Sequence, residues 1–151
     1  MEQALVAQSS DQRRPAWELR MYDGSMVNEQ AARAFAESWY GAWNARDLDR
    51  IMSHYSAGIE HSSPFIARYN NSAEPTLRGR EAVRAYFGRA LERNPTLAFH
   101  PQRIALGTET VVLMYVRMSG DFAAEMFVLA PDGHAEAGKI LRSVSHYALG
   151  E

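Results

Sequence analysis

Cysteine is absent from this chain of 151 residues. Its absence excludes disulfides, thiolate nucleophiles and sulfur-ligated zinc or iron sites. Long apolar runs are missing too. No segment reaches the roughly 18 apolar residues of a membrane span, and the first residues do not have the pattern of a secretory leader. We therefore expect a soluble, cytoplasmic protein that has no membrane partner.

Charge of one sign is also scarce. The 16 basic and 18 acidic residues are interspersed and give a net charge of -2, so there is no basic surface that would favour nucleic acid. The 5 histidines show no short ligand spacing, and no phosphate loop, dinucleotide fingerprint or haem signature is present. We expect neither a metal nor a cofactor.

The remaining composition predicts one folded domain. A hydrophobic content of 46% over 151 residues is enough for a single well-filled core. Residues 1–27 differ, because they are rich in Gln, Ser, Asp and Arg, and they are predicted to form a loosely ordered N-terminal arm before a domain over 28–151. The alternation of Trp17, Leu19 and Met21 leaves open a short edge strand or a partner-binding segment.

Helical patterns dominate the first half of the domain. The spacing of Phe35, Trp39, Ala42 and Trp43 predicts an amphipathic helix that begins near Asn28. Asp47 is a typical N-cap for a short second helix. A polar strand is predicted from Ile59 to Phe65, followed by a loop over 67–75. A further apolar stripe, which predicts a helix ending at Asn94, is formed by Val83, Tyr86, Phe87, Ala90 and Leu91.

Four strands are predicted in the second half, over residues 97–106, 110–119, 122–130 and 139–149, with turn signals between them. The second of these strands is apolar on both faces. We expect one face to line a pocket under the helices and the other to be covered by a second subunit; cover by the N-terminal arm is the alternative.

Several motifs in this order resemble the nuclear transport factor 2-like superfamily, and within it the SnoaL-like group. The motifs are Trp39-Tyr-Gly-Ala-Trp43, His54-Tyr55 leading into Ile59-Glu-His-Ser-Ser-Pro64-Phe65, Leu77-Arg-Gly79, and Ser145-His146-Tyr147. The resemblance covers residues 28–149. It implies an α+β fold, a cone-shaped barrel in which a curved antiparallel sheet wraps around N-terminal helices, and commonly a homodimer formed through the sheet.

The same resemblance argues against one known activity of the superfamily. The general base of its ketosteroid isomerases corresponds to Ser63 in this chain, and a neutral hydroxyl cannot serve as that base. Their oxyanion-hole tyrosine corresponds to Trp39, which has one N–H to donate, and their second acid falls near Glu125. A ketosteroid isomerase of the usual Asp and Tyr type is therefore not expected.

Glu125 and His61 are the predicted catalytic residues. Glu125 shares a strand face with Phe127 and Leu129, so its carboxyl group points among apolar side chains, where its pKa rises unless it is paired. His61 shares a face with Ser63 and could meet Glu125 across the pocket as a proton-transfer pair. Structural roles remain open for both residues. Glu125 could be a buried polar group held by an Arg or a Trp N–H, and His61 could be a strand histidine held in place by a hydrogen bond.

The predicted ligand-binding residues are mostly aromatic or methionine, and half of them could equally be core: Trp39, Trp43, Ser63, Tyr86, Met114, Met118, Phe127 and Tyr147. Tyr147 is placed in the cavity, which leaves His146 for the outer face or the dimer. Two functions stand: a cofactor-independent isomerase, cyclase or dehydratase that acts by proton transfer on a small hydrophobic carbonyl compound, and a non-catalytic ligand-binding or protein-docking module.

Overall fold

The computed structural model describes residues 28–150. The predicted N-terminal arm, with the alternating Trp17, Leu19 and Met21, lies outside the described residues. Among residues 28–150, none of the helices combines the length and the apolar character needed to cross a bilayer.

The first two helices begin at the caps that the sequence predicts. Helix α1 spans Glu29–Asn44, and the side chain of Asn28 accepts a hydrogen bond from the Ala31 N–H at 2.8 Å. Helix α2 spans Leu48–Met52, and Asp47 accepts from the Arg50 N–H at 3.1 Å. These bonds satisfy N–H groups that would otherwise lack partners at the helix start. Both predicted N-caps are confirmed.

The segment after the first strand differs from the prediction. Strand β1 covers Tyr55–Ser62, and helix α3 then runs from Pro64 to Asn70, where a strand up to Phe65 and a loop from Ala67 were expected. The Ser63 hydroxyl accepts from the Phe65 N–H at 3.2 Å, and proline suits the first helical position because it has no N–H to leave unpaired. The prediction of a loop at this point was wrong.

The next helix matches its predicted stripe. Strand β2 covers Thr76–Arg78 and helix α4 covers Arg80–Arg93. This helix buries Val83, Tyr86, Phe87 and Leu91. It ends at Asn94, whose backbone N–H donates to the carbonyl of Ala90, so the predicted stop is confirmed.

The remaining strands are β3 (Phe99–Leu106), β4 (Thr110–Arg117), β5 (Phe122–Leu129) and β6 (Ile140–Tyr147). The sheet order is β2-β1-β6-β5-β4-β3. Neighbouring strands are antiparallel except β1 and β6, which are parallel. The sheet, which was expected to be antiparallel, therefore contains one parallel pair. A parallel pair is possible here because a long crossover of helices and strands separates β1 from β6 in the chain. Register shifts in three strand pairs bend the sheet.

The core lies between the helices and one face of the sheet. Helix α1 packs against β3 and helix α4 against β1. In β4 the inward residues Val111, Leu113 and Tyr115 are buried, whereas Val112 and Met114 lie on the outer face and are only half-buried. The predicted α+β architecture, with a sheet wrapped around N-terminal helices, is confirmed.

Candidate functional site

A cavity of about 350 Å³ opens between α1, α4 and the inner face of the sheet. Aromatic rings form much of its wall: Trp39, Trp43, Tyr55, Phe65, Tyr69, Tyr86, Phe87, Phe99, Tyr115 and Tyr147. Its volume, and a lining that is mostly apolar with a few polar groups, are typical of a small-molecule pocket.

Seven of the ten residues predicted for the site reach this cavity: Trp39, Trp43, His61, Tyr86, Met118, Glu125 and Tyr147. The inward position of Tyr147 leaves its neighbour His146 exposed on the outer face, as the strand alternation predicts.

Three of the predicted ligand-binding residues lie elsewhere. Met114 is on the outer face of β4, because it alternates with the inward Leu113 and Tyr115. Phe127 is fully buried in the core, where its ring packs edge-on at 5.1 Å from Phe35. Ser63 is buried as the cap of α3 and does not line the cavity. The predicted positions of these three side chains on the wall were wrong.

Within residues 28–150, Glu125 is the single acidic side chain that lines the cavity. Strand β5 points it inward, and the Ser145 hydroxyl of the neighbouring β6 donates to its Oε1 at 2.5 Å. Burial raises the pKa of Glu125 to about 7, and hydrogen bonds from Ser145 and Tyr115 oppose that rise. The carboxyl group therefore exchanges its proton near neutral pH, which is the range that suits general acid and base work.

His61 is held on the other side of β6. Its Nδ1 lies 2.6 Å from the Ser143 hydroxyl, and the Phe87 ring packs edge-on at 5.1 Å. Burial lowers the pKa of His61 to about 4, so the imidazole is neutral at pH 7. In the parallel pairing of β1 with β6, His61 lies opposite Ser143. In the antiparallel pairing of β5 with β6, Glu125 lies opposite Ser145. The two groups line one cavity, but each is hydrogen-bonded to its own serine and not to the other.

The Trp39 indole does not have the free donor that the sequence suggested. Its N–H donates to the Tyr55 hydroxyl at 3.1 Å, and its ring stacks on Phe99. Trp39 therefore fixes Tyr55 and cannot also donate to a ligand. The Trp43 N–H is buried and has no acceptor in hydrogen-bond geometry within residues 28–150, although its proximity opposes the rise in the Tyr55 pKa.

Tyrosine hydroxyls surround the carboxyl group of Glu125, and sequence reasoning missed two of them, Tyr55 and Tyr115. Burial, followed by the charge of Glu125, raises the pKa of Tyr55 and Tyr115. Burial likewise raises the pKa of Tyr86 to about 12 and that of Tyr147, and hydrogen bonding to Ser63 opposes both shifts. These phenols stay protonated at neutral pH and are therefore hydrogen-bond donors. The inward alternation of Tyr115 was visible in the sequence and was the signal that could have identified it.

The wall near the mouth is held by a polar motif between α1 and α2. Asn44 exchanges two hydrogen bonds with the Phe99 backbone, at 3.0 and 2.8 Å. Arg46 donates to the carbonyls of Leu91 and Asn94. These bonds fix the segment 94–98, which lines the cavity after α4 ends.

No group of three His, Asp or Glu side chains within residues 28–150 lies close enough to hold a metal ion.

The model of the SnoaL-like domain matches residues 36–149, which is most of the chain. The chain belongs to the SnoaL-like family. A SnoaL-like protein of unknown function from Burkholderia thailandensis is similar at 36% identity and a TM-score of 0.73, over 81% of this chain and 98% of that one. No curated protein matches the chain.

Two more distant structures share the fold of this SnoaL-like chain. A candidate isomerase of the SnoaL-like family from Agrobacterium tumefaciens has 14% identity and a TM-score of 0.59, over 78% of this chain and 97% of that one. TerC, co-crystallised with polyporic acid, has 15% identity and a TM-score of 0.62, over 78% of this chain and 91% of that one.

Proposed function

We propose that this SnoaL-like protein is a cofactor-independent enzyme that moves a proton on a small, flat, hydrophobic carbonyl compound. The observation that carries the proposal is Glu125, a buried carboxyl group that opens to an aromatic cavity and whose pKa is raised to about 7. At that pKa the Glu125 carboxyl group is ionised in a substantial fraction of molecules and protonated in the rest at neutral pH, so this one group can act as base and then as acid.

Glu125 is better suited than His61 to be the base. The imidazole has a pKa of about 4, so at neutral pH it binds a proton only weakly. General catalysis is most efficient when the pKa of the group lies near the working pH. We assign Glu125 the proton transfer and His61 a neutral, hydrogen-bonding place in the wall.

The tyrosines supply the complementary charge stabilisation. When the Glu125 carboxylate removes a proton from the carbon beside a carbonyl, the electron pair moves to the carbonyl oxygen and an enolate forms. Tyr86 and Tyr147 line the cavity as protonated phenols and can donate to that oxygen. Where the compound has a β,γ double bond, the enolate is conjugated with it, and return of the proton from Glu125 to the γ carbon shifts the double bond and completes an isomerisation, with no electron donor or acceptor required. Ser63 does not line the cavity, but it opposes the rise in the pKa of both phenols and so acts indirectly.

The relatives support this class of ligand and reaction. One protein of the same fold is a candidate isomerase, and another has been co-crystallised with polyporic acid. The aromatic wall of this chain fits a flat, apolar ligand.

Exchange of α-hydrogens tests the proposal without knowledge of the natural substrate. In D₂O at pD 7, NMR would follow deuterium uptake into 2-tetralone, a flat aromatic ketone, with wild type and with Glu125→Gln. We expect the variant to lose about 10²-fold or more of the enzymatic exchange rate. Glu60→Gln is the matched control, because Glu60 is exposed and pairs only with Arg78. Equal exchange by wild type and Glu125→Gln would contradict the assignment.

Binding without turnover is the second candidate function. It is favoured by the Trp39 N–H, which is already used within the protein and is not free to activate a carbonyl. A protein that binds the aromatic ketone by calorimetry but catalyses no exchange would have a ligand store in this cavity.

We also propose a homodimer formed through the outer face of the sheet. Most of the outward side chains of β4, β5 and β6 are apolar and only partly buried: Val112, Met114, Val116, Met126, Val128 and Val144, with Phe122 55% exposed. Arg142 and His146 share this face. A contiguous apolar patch of this kind usually marks an interaction surface. Equilibrium sedimentation of the full chain should give a dimer that Met126→Lys dissociates; a wild-type monomer at micromolar concentration would contradict it.

A further inference from the structure

Two arginines stand at the mouth of the aromatic cavity, on different elements. Arg93 is in the last turn of α4, and Arg117 is the last residue of β4. Both line the cavity, and with Glu125 deep inside they are the charged members of its wall. The mouth is therefore positively charged, although the whole chain has a net charge of -2.

Aromatic rings hold both side chains in place. The Arg93 guanidinium lies 4.8 Å from the centre of the Tyr69 ring. The Arg117 guanidinium lies 4.9 Å from the centre of Tyr147 and 5.3 Å from that of Phe65. Cation–π contacts of this kind hold a guanidinium without neutralising its charge, so it can still donate hydrogen bonds to an anion.

Within residues 28–150 the two guanidinium groups have no acidic partner. The ion pairs of the described residues involve Arg33, Arg78 and Arg84, and not Arg93 or Arg117. The pKa of Tyr147 is raised by burial and by the charge of Glu125, and the nearby charge of Arg117 opposes that rise. An arginine that is held by an aromatic ring and has no acidic partner within residues 28–150 is suited to bind a planar oxyanion.

We propose that Arg93 and Arg117 bind an anionic group, a carboxylate or an ionised enol, on a flat aromatic ligand whose apolar body fills the cavity. The proposal rests on the proposed function, because it names the substrate class of the same site. It places the anion at the mouth and the reacting carbon next to Glu125, at opposite ends of one ligand. An uncharged analogue of this ligand would lose the charge-assisted hydrogen bonds to the two arginines and keep its contacts with the aromatic wall.

Matched pairs of compounds test the charge requirement. Isothermal calorimetry would compare anthraquinone-2-carboxylate with its methyl ester, and 2-hydroxy-1,4-naphthoquinone, which is ionised at neutral pH, with its 2-methoxy ether. We expect the wild type to prefer at least one anion by about tenfold or more over its uncharged partner. The two pairs distinguish a carboxylate site from an ionised-enol site.

Arginine variants test which residues supply that preference. The double variant Arg93→Gln with Arg117→Gln should bind acid and ester within about twofold of each other, with the affinity for the ester retained. Arg89→Gln is the control, because Arg89 is exposed on the same helix and does not line the cavity. A circular dichroism melt would confirm that the double variant is folded.

Two results would overturn the proposal: no anion preference in the wild type, whether or not the neutral compounds bind, and a preference that survives in the folded double variant. Glu125→Gln in the same titrations separates this proposal from the catalytic one. If the anion preference persists in wild type and Glu125→Gln while neither protein exchanges α-hydrogens, the arginine site stands and the proton-transfer function fails.

Discussion

His61 and Glu125 occupy equivalent places on either side of β6, and their protonation differs in a way that separates their roles. Each is buried on the inner face of the sheet, and each is hydrogen-bonded to one serine of β6. Burial favours the neutral form of both, so it lowers the pKa of the imidazole to about 4 and raises that of the carboxyl group to about 7. The same environment therefore removes His61 from the physiological range and brings Glu125 into it.

The contrast teaches that burial by itself does not create a catalytic base. What matters is where the ordinary pKa starts: from 6.5 a histidine is shifted away from neutrality, whereas from 4.5 a carboxylic acid is shifted towards it. In this cavity the histidine is the group whose charge state is fixed at pH 7, and the glutamate is the group that titrates there.

The largest expected effect on stability follows from Glu125→Gln. The folded pKa of Glu125 is raised, so its stabilising protonation is complete below about pH 4.5 and is lost as pH rises through about 7. Above that range the wild type carries a penalty of about 3 kcal/mol that a neutral glutamine does not have. Urea unfolding at pH 4 and pH 8 should show the variant gaining about that much relative to wild type between the two values. Glu60→Gln is the control, because the Glu60 carboxylate is exposed. A gain in stability of the same size in that variant would contradict the attribution of the effect to the burial of Glu125.

A somewhat smaller effect of opposite sign is expected for His61→Gln. The folded pKa of His61 is lowered, so its contribution is complete above pH 6.5 and is lost as pH falls through about 4. Wild type should therefore lose about 2 kcal/mol between pH 7 and pH 5 from this group, and the variant should not. Unfolding of the variant is compared with that of His100→Gln, a change at an exposed strand position. A variant with the wild-type slope would show that His61 does not titrate as its burial implies.

The smallest effect distinguishes the two serines of β6. The Ser145 hydroxyl lowers the pKa of Glu125, so Ser145→Ala should move the pH profile of α-hydrogen exchange upward by about one unit. Ser143→Ala is the matched control, because Ser143 bonds to His61 instead. Identical shifts in the two variants would mean that the effect comes from a general change in the strand and not from the hydrogen bond.

Much of the fold was predictable because the signals are local. The caps at Asn28 and Asp47, the apolar stripe of α4 and the inward position of Glu125 depend on neighbours a few residues away, and all appear in the structure. Helix α3 is the instructive failure. Ser63 followed by Pro64 is a good helix start, but the preceding alternation of β1 was extended through it, and Phe65 was read as a strand residue.

The candidate site was only partly predictable. Period-two alternation placed Glu125 and His61 inside, and the family resemblance placed Tyr147 there. In β4 alternation separates Met114 from Leu113 and Tyr115, but both faces are apolar, and the face with Met114 was wrongly taken as the inward one. The cavity arginines were missed because a charged residue at the end of a helix or strand is usually solvated. Arg93 and Arg117 become notable only when Tyr69 and Tyr147 are seen beneath them.

The sequence by itself determined most of the helices and strands and which residues share a face of each element, because helical and strand periodicities are set by the local backbone. The tertiary structure alone decided which side chains are hydrogen-bonded to one another in the site. The parallel pairing of β1 with β6 brings Ser143 to His61, and the antiparallel pairing of β5 with β6 brings Ser145 to Glu125. The packing of α1 also commits the Trp39 N–H to Tyr55. Those pairings depend on strand order and packing across many residues, which periodicity does not encode.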